Sequence, residues 1–205
     1  MIKTAGCLFI ISAPSGAGKT SLVRALLQSD PHLSLSVSHT TRPPRSGEVD
    51  GRDYHFVSKD AFQKMLVNGE FLESAEVYGN LYGTSQQWIN EAIASGQDIL
   101  LEIDCQGAKQ VRHIFPQSAA IFILPPSIDA LATRLKTRAQ DNSEVIQKRL
   151  AAAREEVSHI GEFDYVIINS KLEEALNDLT CIISAERLSR DRQVIKYQSL
   201  ITQLL

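Results

Sequence analysis

Residues 9–22 read FIISAPSGAGKTSL, and this stretch decides the fold. It begins with an apolar run that contains two isoleucines, which predicts a buried strand. A turn of small residues follows, and from Ser21 to Leu27 apolar residues recur at helical spacing. A strand, a glycine-rich turn, a Lys-Thr pair and a helix are together the layout of a phosphate-binding loop.

The chemistry of such a loop follows from the helix that it precedes. The first amides of a helix have no partners within it, and the helix dipole places partial positive charge there. Gly16 and Gly18 let the backbone curl so that successive N–H groups point at one anion. In this pattern Lys19 reaches the β- and γ-phosphates of a nucleotide, and the hydroxyl of Thr20 binds Mg²⁺.

One position departs from the strict phosphate-loop pattern. That pattern has a glycine six residues before the lysine, where this chain has Ala13. The alternative interpretation is an ordinary glycine-rich turn with a surface lysine. The strand and the helix on either side of the turn favour the phosphate loop.

Composition limits the class of protein. The chain has 205 residues, of which 43% are hydrophobic and 22% charged, as expected for one globular α/β domain. The net charge of −3 provides no basic field, so we expect no nucleic-acid partner. No apolar run reaches ~18 residues, and no secretory signal pattern is visible. We therefore expect no membrane segment and a cytoplasmic location.

The three cysteines do not indicate a disulfide framework or a metal site. Cys7, Cys105 and Cys181 are far apart, and no Cys/His spacing typical of zinc is present. Cys7 and Cys181 lie in apolar segments, so we expect both in the core.

Strand patterns alternate with helical patterns along most of the chain. After the first strand, the predicted strands are 33–38, 54–57, 71–77, 98–104, 119–124 and 164–168. This alternation indicates an α/β protein, a P-loop three-layer fold with a central parallel sheet and helices on both faces. Ligands of such sheets lie beyond the carboxyl ends of the strands.

The same patterns divide the chain into a core and two smaller parts. We expect the core at 1–34, 88–126 and 160–205, an inserted substrate subdomain of short strands at about 35–87, and a helical lid at about 127–159. Ser170 and Glu173 form a capping-box pattern for a last long helix that extends toward the C-terminus.

Arginines in the predicted lid are candidates for catalysis. Arg134 and Arg138 are four residues apart on one helix and so share a face, and Arg149 follows in the next helix. Guanidinium groups on a mobile helical segment can close over a transferred phosphoryl group and offset its charge. The alternative is a solvated basic face, and spacing alone does not choose between the two.

A second anion site is predicted in the insert. Arg42 and Arg45 lie on a loop stiffened by two prolines, and Tyr54 follows nearby. Two guanidinium groups and a hydroxyl are suited to clamp a phosphate through several hydrogen bonds. The alternative is an ordinary exposed loop.

Glu73 and Ser38 are candidates for reading a base. Guanine presents two adjacent N–H donors beside a carbonyl acceptor, so a carboxylate and a hydroxyl match it. Adenine offers no such donor pair, and its binding would leave buried polar groups unpaired. From the sequence alone, Glu73 is equally well interpreted as a surface acid.

Two further acids end a predicted strand. Glu102 and Asp104 are two residues apart, so in a strand both side chains point to one face. One could order Mg²⁺ through water, and the other could contact a second nucleotide. The alternative is that a strand-end acid caps the next helix.

Together these segments resemble guanylate kinases, the nucleoside-monophosphate kinases that transfer phosphate from ATP to GMP, and the bacterial form in particular. The resemblance extends over essentially the whole chain. Its carriers are SAPSGAGKT at 12–20, SHTTRPPRSGE at 38–48, GRDYHFV at 51–57, YGT at 82–84, EIDCQG at 102–107, and Arg134, Leu135, Arg138, Asp141 and Arg149.

The resemblance implies a role for each matching residue. The residues implied for the phosphates of ATP are Ser15, Gly16, Ala17, Gly18, Lys19, Thr20 and Ser21, with Thr20 on Mg²⁺ and Asn169 near the adenine. Those implied for the phosphate of GMP are Arg42, Arg45, Tyr54 and Tyr82. Those implied for the guanosine part are Ser38, Glu73, Thr84 and Asp104, with Glu102 beside them. Lys19, Arg42, Arg134, Arg138 and Arg149 are implied to be catalytic.

The chain departs from the family pattern at two further positions. Ala139 follows Arg138 where the family usually has glycine, which implies a stiffer lid hinge. Ser170 follows Asn169 where an aspartate is common, which leaves the detail of the adenine site open. Ala13, in contrast, is common in the bacterial kinases that the chain resembles.

The implied reaction needs positioning and charge more than proton transfer. The phosphate oxygen of GMP is already an anionic nucleophile, so no general base is required. Two alternatives remain at this point: a non-catalytic guanylate-kinase-like binding module, and another small-molecule P-loop kinase. Apolar residues near the C-terminus (Ile195, Leu200, Ile201, Leu204 and Leu205) also allow a homo-oligomer through the last helix.

Overall fold

The computed structural model describes residues 5–77, 79–138 and 143–205. The elements, in chain order, are β1 Leu8–Ser12, α1 Lys19–Ser29, β2 Leu33–Leu35, β3 His39–Thr40, β4 His55–Phe56, α2 Lys59–Val67, β5 Phe71–Val77, β6 Asn80–Ser85, α3 Gln86–Ala94, β7 Asp98–Glu102, α4 Cys105–Ile114, β8 Ala119–Leu124, α5 Ile128–Arg138, α6 Ser143–Ser158, a 3₁₀ turn His159–Glu162, β9 Tyr165–Ile168, α7 Leu172–Arg187, α8 Arg190–Lys196 and α9 Gln198–Leu204.

A five-stranded sheet forms the centre of the protein. Its strand order is β2-β7-β1-β8-β9, and every neighbouring pair is parallel. The strands β1 and β8 are buried along most of their length, because both faces of the sheet are covered. This arrangement confirms the predicted three-layer α/β fold with a central parallel sheet.

Two apolar layers cover the two faces of the sheet. On one face Phe9 and Ile121 pack with Leu22 of α1 and Leu179 of α7. On the other face Ile10 packs in a cluster that includes residues of α3 and α4. Both layers derive from the alternation of side chains along β1, which sends successive residues to opposite faces. The phosphate loop leaves β1 between the layers, at the carboxyl edge of the sheet.

A second, smaller sheet lies between β2 and α3 in the chain. Its order is β4-β3-β6-β5, with β3 and β4 parallel and the other neighbours antiparallel. It corresponds to the short-stranded insert that the sequence predicts. The strand predicted at 33–38 ends at Leu35, and His39–Thr40 forms a strand where a loop was predicted. Both short strands are defined by partners that are distant in sequence.

Three predictions about the C-terminal half are wrong. Lys171 is the N-cap of α7 and has no side-chain cap, so the Ser170 capping box does not form. The last helix is interrupted at Ser189, whose dihedral angles (φ −54°, ψ 142°) are not helical, and again at Tyr197. Cys181 is exposed, although Cys7 is buried as expected. Cys181 lies on the outer face of α7, opposite the face that packs on the sheet.

The two helices of the predicted lid pack on each other through a small apolar cluster. Leu131 and Leu135 of α5 contact Ala153 of α6. Within the described ranges, no helix is long and apolar enough to cross a membrane.

Candidate functional site

One cleft at the carboxyl edge of the central sheet brings together most of the predicted site residues. It is bordered on one side by the phosphate loop and on the other by the small sheet. The predicted site residues that line it are Ser15, Gly16, Gly18, Lys19, Thr20, Ser38, Arg42, Arg45, Tyr54, Glu73, Tyr82, Glu102 and Asp104.

The remaining predicted residues lie around this cleft or outside the description. Thr84 and Asn169 are buried behind its wall, and Ala17 and Ser21 belong to the loop and to α1. Arg134 contacts the back of the phosphate loop. Arg149 lies on α6 and is partly buried. The side chain of Arg138, together with Ala139 and Asp141, lies outside the described residues.

The phosphate loop has the backbone that an anion site requires. Gly16 and Gly18 have φ angles of 91° and 94°, in the left-handed region that favours glycine. Gly18 is also the N-cap of α1, so the unpaired amides of the first helical turn face the cleft. The loop and the helix dipole therefore supply fixed positive potential at this point.

Polar groups of the loop and of the start of α1 donate to acceptors on neighbouring segments. The Lys19 ammonium donates to the carbonyl of Ile103 at 3.1 Å. The Thr20 hydroxyl donates to Glu102 Oε1 at 2.7 Å. The N–H of Ser15 donates to Glu156 Oε2 at 3.3 Å, so a carboxylate from α6 lies against the loop.

The carbonyl of Ala17 holds the loop from behind. It accepts hydrogen bonds from the Asn169 amide at 2.8 Å and from Arg134 Nη1 at 3.1 Å. Arg134 Nη2 also donates to the Asn169 carbonyl at 3.0 Å. A Cβ on Gly18 would lie 2.4 Å from the Asn169 side-chain nitrogen, so only glycine permits this approach. Arg134 and Asn169 thus fix the loop backbone, a contact that their sequence spacing does not indicate.

The second anion site contains an internal ion pair. Arg42 Nη2 donates to Glu48 Oε1 at 2.9 Å, and the Arg45 N–H donates to Glu48 Oε2 at 2.7 Å. The hydrogen bond from Arg42 holds the pKa of Glu48 below its ordinary value. The Arg42 guanidinium also lies 5.3 Å from the centre of the Tyr54 ring. Glu48 thus orients the Arg42 side chain and holds the loop backbone at Arg45, a role that the sequence does not reveal.

Tyr54 and Tyr82 form the side of this pocket. Their ring centres are 6.0 Å apart in an edge-to-face arrangement. Burial, together with the negative charge of Glu102, raises the pKa of Tyr54 to about 12. The Tyr54 hydroxyl is therefore protonated at neutral pH and available as a donor to an anion.

Glu73 is a buried carboxylate, so its interpretation as a surface acid is wrong. It is 3% exposed. The pairing of β5 with β6 places Thr84 opposite it, and the Thr84 hydroxyl donates to Glu73 Oε1 at 2.5 Å. The Ser38 hydroxyl lies 3.5 Å from that of Thr84. Polar side chains from β5, from β6 and from the segment before β3 therefore form one network on the small-sheet side of the cleft.

The first turn of α4 packs directly against this network. A Cβ on Gly107 would lie 2.5 Å from Glu73 Oε2, so the absence of a side chain makes room for the carboxylate. Burial raises the pKa of Glu73 to about 7, and the charge of Asp104 adds to the effect. The importance of Gly107 depends on a contact between distant segments, and the sequence carries no signal for it.

Asp104 has a structural contact that corrects the expected strand geometry. The strand β7 ends at Glu102, and Asp104 is the N-cap of α4, where its Oδ1 accepts from the Gly107 N–H at 2.8 Å. Glu102 and Asp104 therefore do not continue one strand face. Asp104 nevertheless lines the cleft, so helix capping and a ligand contact are compatible.

Hard-metal ligands are few in this cleft. Among the described residues, no group of three or more His, Cys, Asp or Glu side chains is placed to hold a metal ion. The Thr20 hydroxyl and the Glu102 carboxylate supply adjacent oxygens at the mouth of the phosphate loop. This donor set fits Mg²⁺, which commonly takes one or two protein ligands beside phosphate oxygens and water.

Comparison with known proteins gives one consistent family. A model of the guanylate kinase family matches residues 6–186. The guanylate kinase of Nitrosospira multiformis is 61% identical over 100% of this chain and 97% of its own length. That of Nitrosomonas europaea is 59% identical over 96% of this chain and 98% of its own. The crystal structure of guanylate kinase from Anaplasma phagocytophilum superposes with a TM-score of 0.79 at 34% identity, covering 94% of this chain and 92% of that one.

From the raised pKa of the buried Glu73 we predict that the stability of the folded protein depends on pH. Its pKa rises from 4.5 to about 7 on folding, so the folded protein binds more protons in that range. The contribution of Glu73 to stability is therefore greatest at acid pH and falls as the pH rises through about 7. Replacing Glu73 with Gln removes this loss, so urea unfolding at about pH 8 should give a variant more stable by up to roughly 3 kcal/mol.

The control for this prediction is Glu76→Gln, an exposed acid on the same strand. It should change stability little at either pH. The gain from Glu73→Gln should shrink at about pH 5.5, where the native carboxyl is protonated. A Glu73→Gln protein that is less stable than the unmodified protein at both pH values would contradict the assignment.

Proposed function

The chain belongs to the guanylate kinase family, and on that premise we propose how its residues share the transfer of the γ-phosphoryl group of ATP to GMP, which gives ADP and GDP. This assignment of roles rests on one observation, which is that a single cleft contains both the phosphate loop and the buried Glu73. The loop suits a polyphosphate, and the carboxylate suits a base with two adjacent donors.

The donor nucleotide binds along the phosphate loop. The amides from Ser15 to Ser21 surround its phosphates, and the Lys19 ammonium exchanges its contact with Ile103 for the β- and γ-phosphates. Asn169 and Arg134 hold the Ala17 carbonyl, so the loop is preorganised for the anion.

We propose Mg²⁺ as the divalent metal ion. The Thr20 hydroxyl would hold it, and Glu102 would orient its water ligands, since these two residues already share a hydrogen bond. When bound, the ion neutralises part of the charge on the phosphates. The other groups that bind and position the substrates are side chains and backbone amides of the protein.

The acceptor binds between the small sheet and the Arg42 loop. Arg42, Arg45, Tyr54 and Tyr82 bind the phosphate of GMP. In doing so, Arg42 exchanges its pairing with Glu48 in part for the substrate. Glu73 accepts from the two adjacent N–H donors of guanine, Ser38 faces its carbonyl, and Thr84 and Asp104 complete the wall. Adenine would leave the buried Glu73 carboxylate with the Thr84 hydroxyl but without donors from the base, which disfavours adenine.

Chemistry then requires alignment and charge. A phosphate oxygen of GMP attacks the γ-phosphorus of ATP, the bond from the γ-phosphorus to the bridging β-γ oxygen breaks, and ADP leaves. No general base is needed because the nucleophile is already anionic. Lys19, Arg42 and the lid residues Arg138 and Arg149 stabilise charge on the transferring group, and Arg134 contributes by holding the phosphate loop from behind. Closure of the lid and insert excludes water, which limits hydrolysis of ATP.

We keep the division into a core (1–34, 88–126 and 160–205), a GMP-binding insert at about 35–87 and a lid at about 127–159. The position of the small sheet supports the insert, and the packing of α5 on α6 supports the lid. We also propose a cytoplasmic location, where ATP and GMP are available. A binding module without catalysis is not favoured, because relatives named guanylate kinase match almost the entire chain.

Acceptor selectivity tests the proposed base contacts. In a coupled assay with ATP, kcat/KM for GMP should exceed that for AMP by a factor of at least about 100, with CMP and UMP also poor. The reason is that only guanine satisfies the buried Glu73 carboxylate. Equal turnover of AMP and GMP would contradict the assignment of this pocket to guanine.

Lys19→Ala tests the phosphate loop. Because the ammonium is proposed to act on the transferring group, kcat should fall by about 10²–10³, while the melting temperature and circular dichroism stay unchanged. Lys64→Ala, an exposed lysine on α2, is the matched control and should retain full activity. Near-normal turnover of the Lys19 variant would show that the phosphate loop does not take part in phosphoryl transfer as proposed.

Gly107→Ala tests the support of Glu73. The new Cβ would meet the Glu73 carboxylate, so the carboxylate should shift and KM for GMP should rise about tenfold, with KM for ATP changed less than about twofold. Gly161→Ala is the control, because a Cβ there has no neighbour within 4 Å. An unchanged KM for GMP, in a folded Gly107 variant, would show that the packing of α4 does not position Glu73.

A further inference from the structure

The carboxylate of Glu156, a residue of the proposed lid, lies against the phosphate loop. Glu156 is on α6, near its C-terminal end, and its Oε2 accepts from the Ser15 N–H at 3.3 Å. It lines the same cleft as Lys19 and Thr20. The proposed mechanism uses no acid at this position, and an acid here opposes the negative charge of a nucleotide phosphate.

The surroundings of this side chain act on its charge in both directions. Burial is the largest effect and, together with the charge of Asp104, raises the pKa of Glu156 above its ordinary value, although the Ser15 hydrogen bond and the positive charge of Lys19 act to lower it. The amides at the start of α1 add a partial positive charge. The features that attract a phosphate therefore also attract this carboxylate.

The backbone keeps Glu156 beside the loop. Its carbonyl oxygen accepts a contact from the Cys105 thiol at 3.7 Å, and that thiol lies 3.8 Å from the Ser12 hydroxyl at the end of β1. The residue is thus anchored to the core at the base of the lid. A rotation of the side chain alone can remove the carboxylate from the Ser15 N–H and return it.

A backbone N–H donates one hydrogen bond at full strength, so two anions cannot both use the Ser15 amide. We propose that Glu156 competes with the phosphates of ATP and ADP for the phosphate loop, which lowers the affinity for both nucleotides and assists the departure of ADP. This inference rests on the proposed function of the loop as the donor-nucleotide site. It makes Glu156 a determinant of nucleotide affinity rather than a catalytic residue.

Binding of ADP measured by isothermal titration calorimetry tests the proposal without turnover. Glu156→Gln keeps an oxygen acceptor of the same size but removes the charge, which weakens its competition. The Kd for ADP should fall about three- to tenfold, because less of the free protein has its loop amide occupied. The Kd for GMP, which binds across the cleft, should not change.

Glu155→Gln is the matched control. It removes the same charge from the neighbouring position on α6, where the side chain is exposed. Its Kd for ADP should change less than about twofold, because solvent screens an exposed charge. If Glu156→Gln is poorly folded, Glu156→Ala replaces it and should tighten ADP binding at least as much, since it offers no acceptor.

The outcomes separate this inference from the proposed function. If Glu156→Gln and Glu155→Gln bind ADP alike, or if Glu156→Gln binds it more weakly, Glu156 is no competitor and the inference fails. If the unmodified protein binds no ADP, or if Lys19→Ala binds it as tightly as the unmodified protein, the loop is not the nucleotide site and the proposed function fails. A lid anchor with no role at the loop would lower only the melting temperature of Glu156→Gln, with the Kd for ADP unchanged.

Discussion

The hydrogen bonds to the carbonyl oxygen of Ala17 are the interactions on which the site depends most. It accepts hydrogen bonds from Arg134 on α5 and from Asn169 after β9, so three distant segments meet behind one peptide group. With Gly18 in the left-handed region, this contact turns the following amides toward the cleft. A loop held in this way loses little entropy when it binds an anion, which is the physical meaning of preorganisation. It also links the lid to the core through Arg134.

Acids accompany the groups proposed to bind phosphate. Thr20 pairs with Glu102, the Arg42 loop pairs with Glu48, and the Ser15 amide pairs with Glu156. Each acid accepts a hydrogen bond from a donor of the site and so helps to keep that donor in place. The same acid opposes the charge of the incoming phosphate. The affinity for a phosphate therefore depends on how much more strongly each donor binds the phosphate than it binds the protein carboxylate. Such competition allows a phosphate to be held in a defined position and still be released quickly.

The base-reading end of the cleft follows a different principle. Burying a carboxylate is costly unless it is hydrogen-bonded, and Glu73 has the Thr84 hydroxyl as partner while its other oxygen faces Gly107. A ligand with two adjacent N–H donors relieves this cost, and a ligand without them does not. Selectivity in this interpretation comes from the free energy of a buried carboxylate that lacks donors beyond the Thr84 hydroxyl.

The sequence by itself determined the class of fold, because periodicity and the motif at residues 9–22 depend only on local order. The alternation of strands and helices predicted the parallel sheet, and the loop pattern predicted the turn at which α1 begins. The strand β2 was predicted three residues too long and β3 was predicted as a loop, since partners distant in the chain decide both strands. The breaks in the C-terminal helix were not predicted. Asp104 was expected in a strand, and only the start of α4 made it a cap. The burial of Glu73, the clamp on Ala17 and the position of Glu156 required the tertiary structure, because each is a contact between segments whose separation along the chain carries no signal of their distance in space.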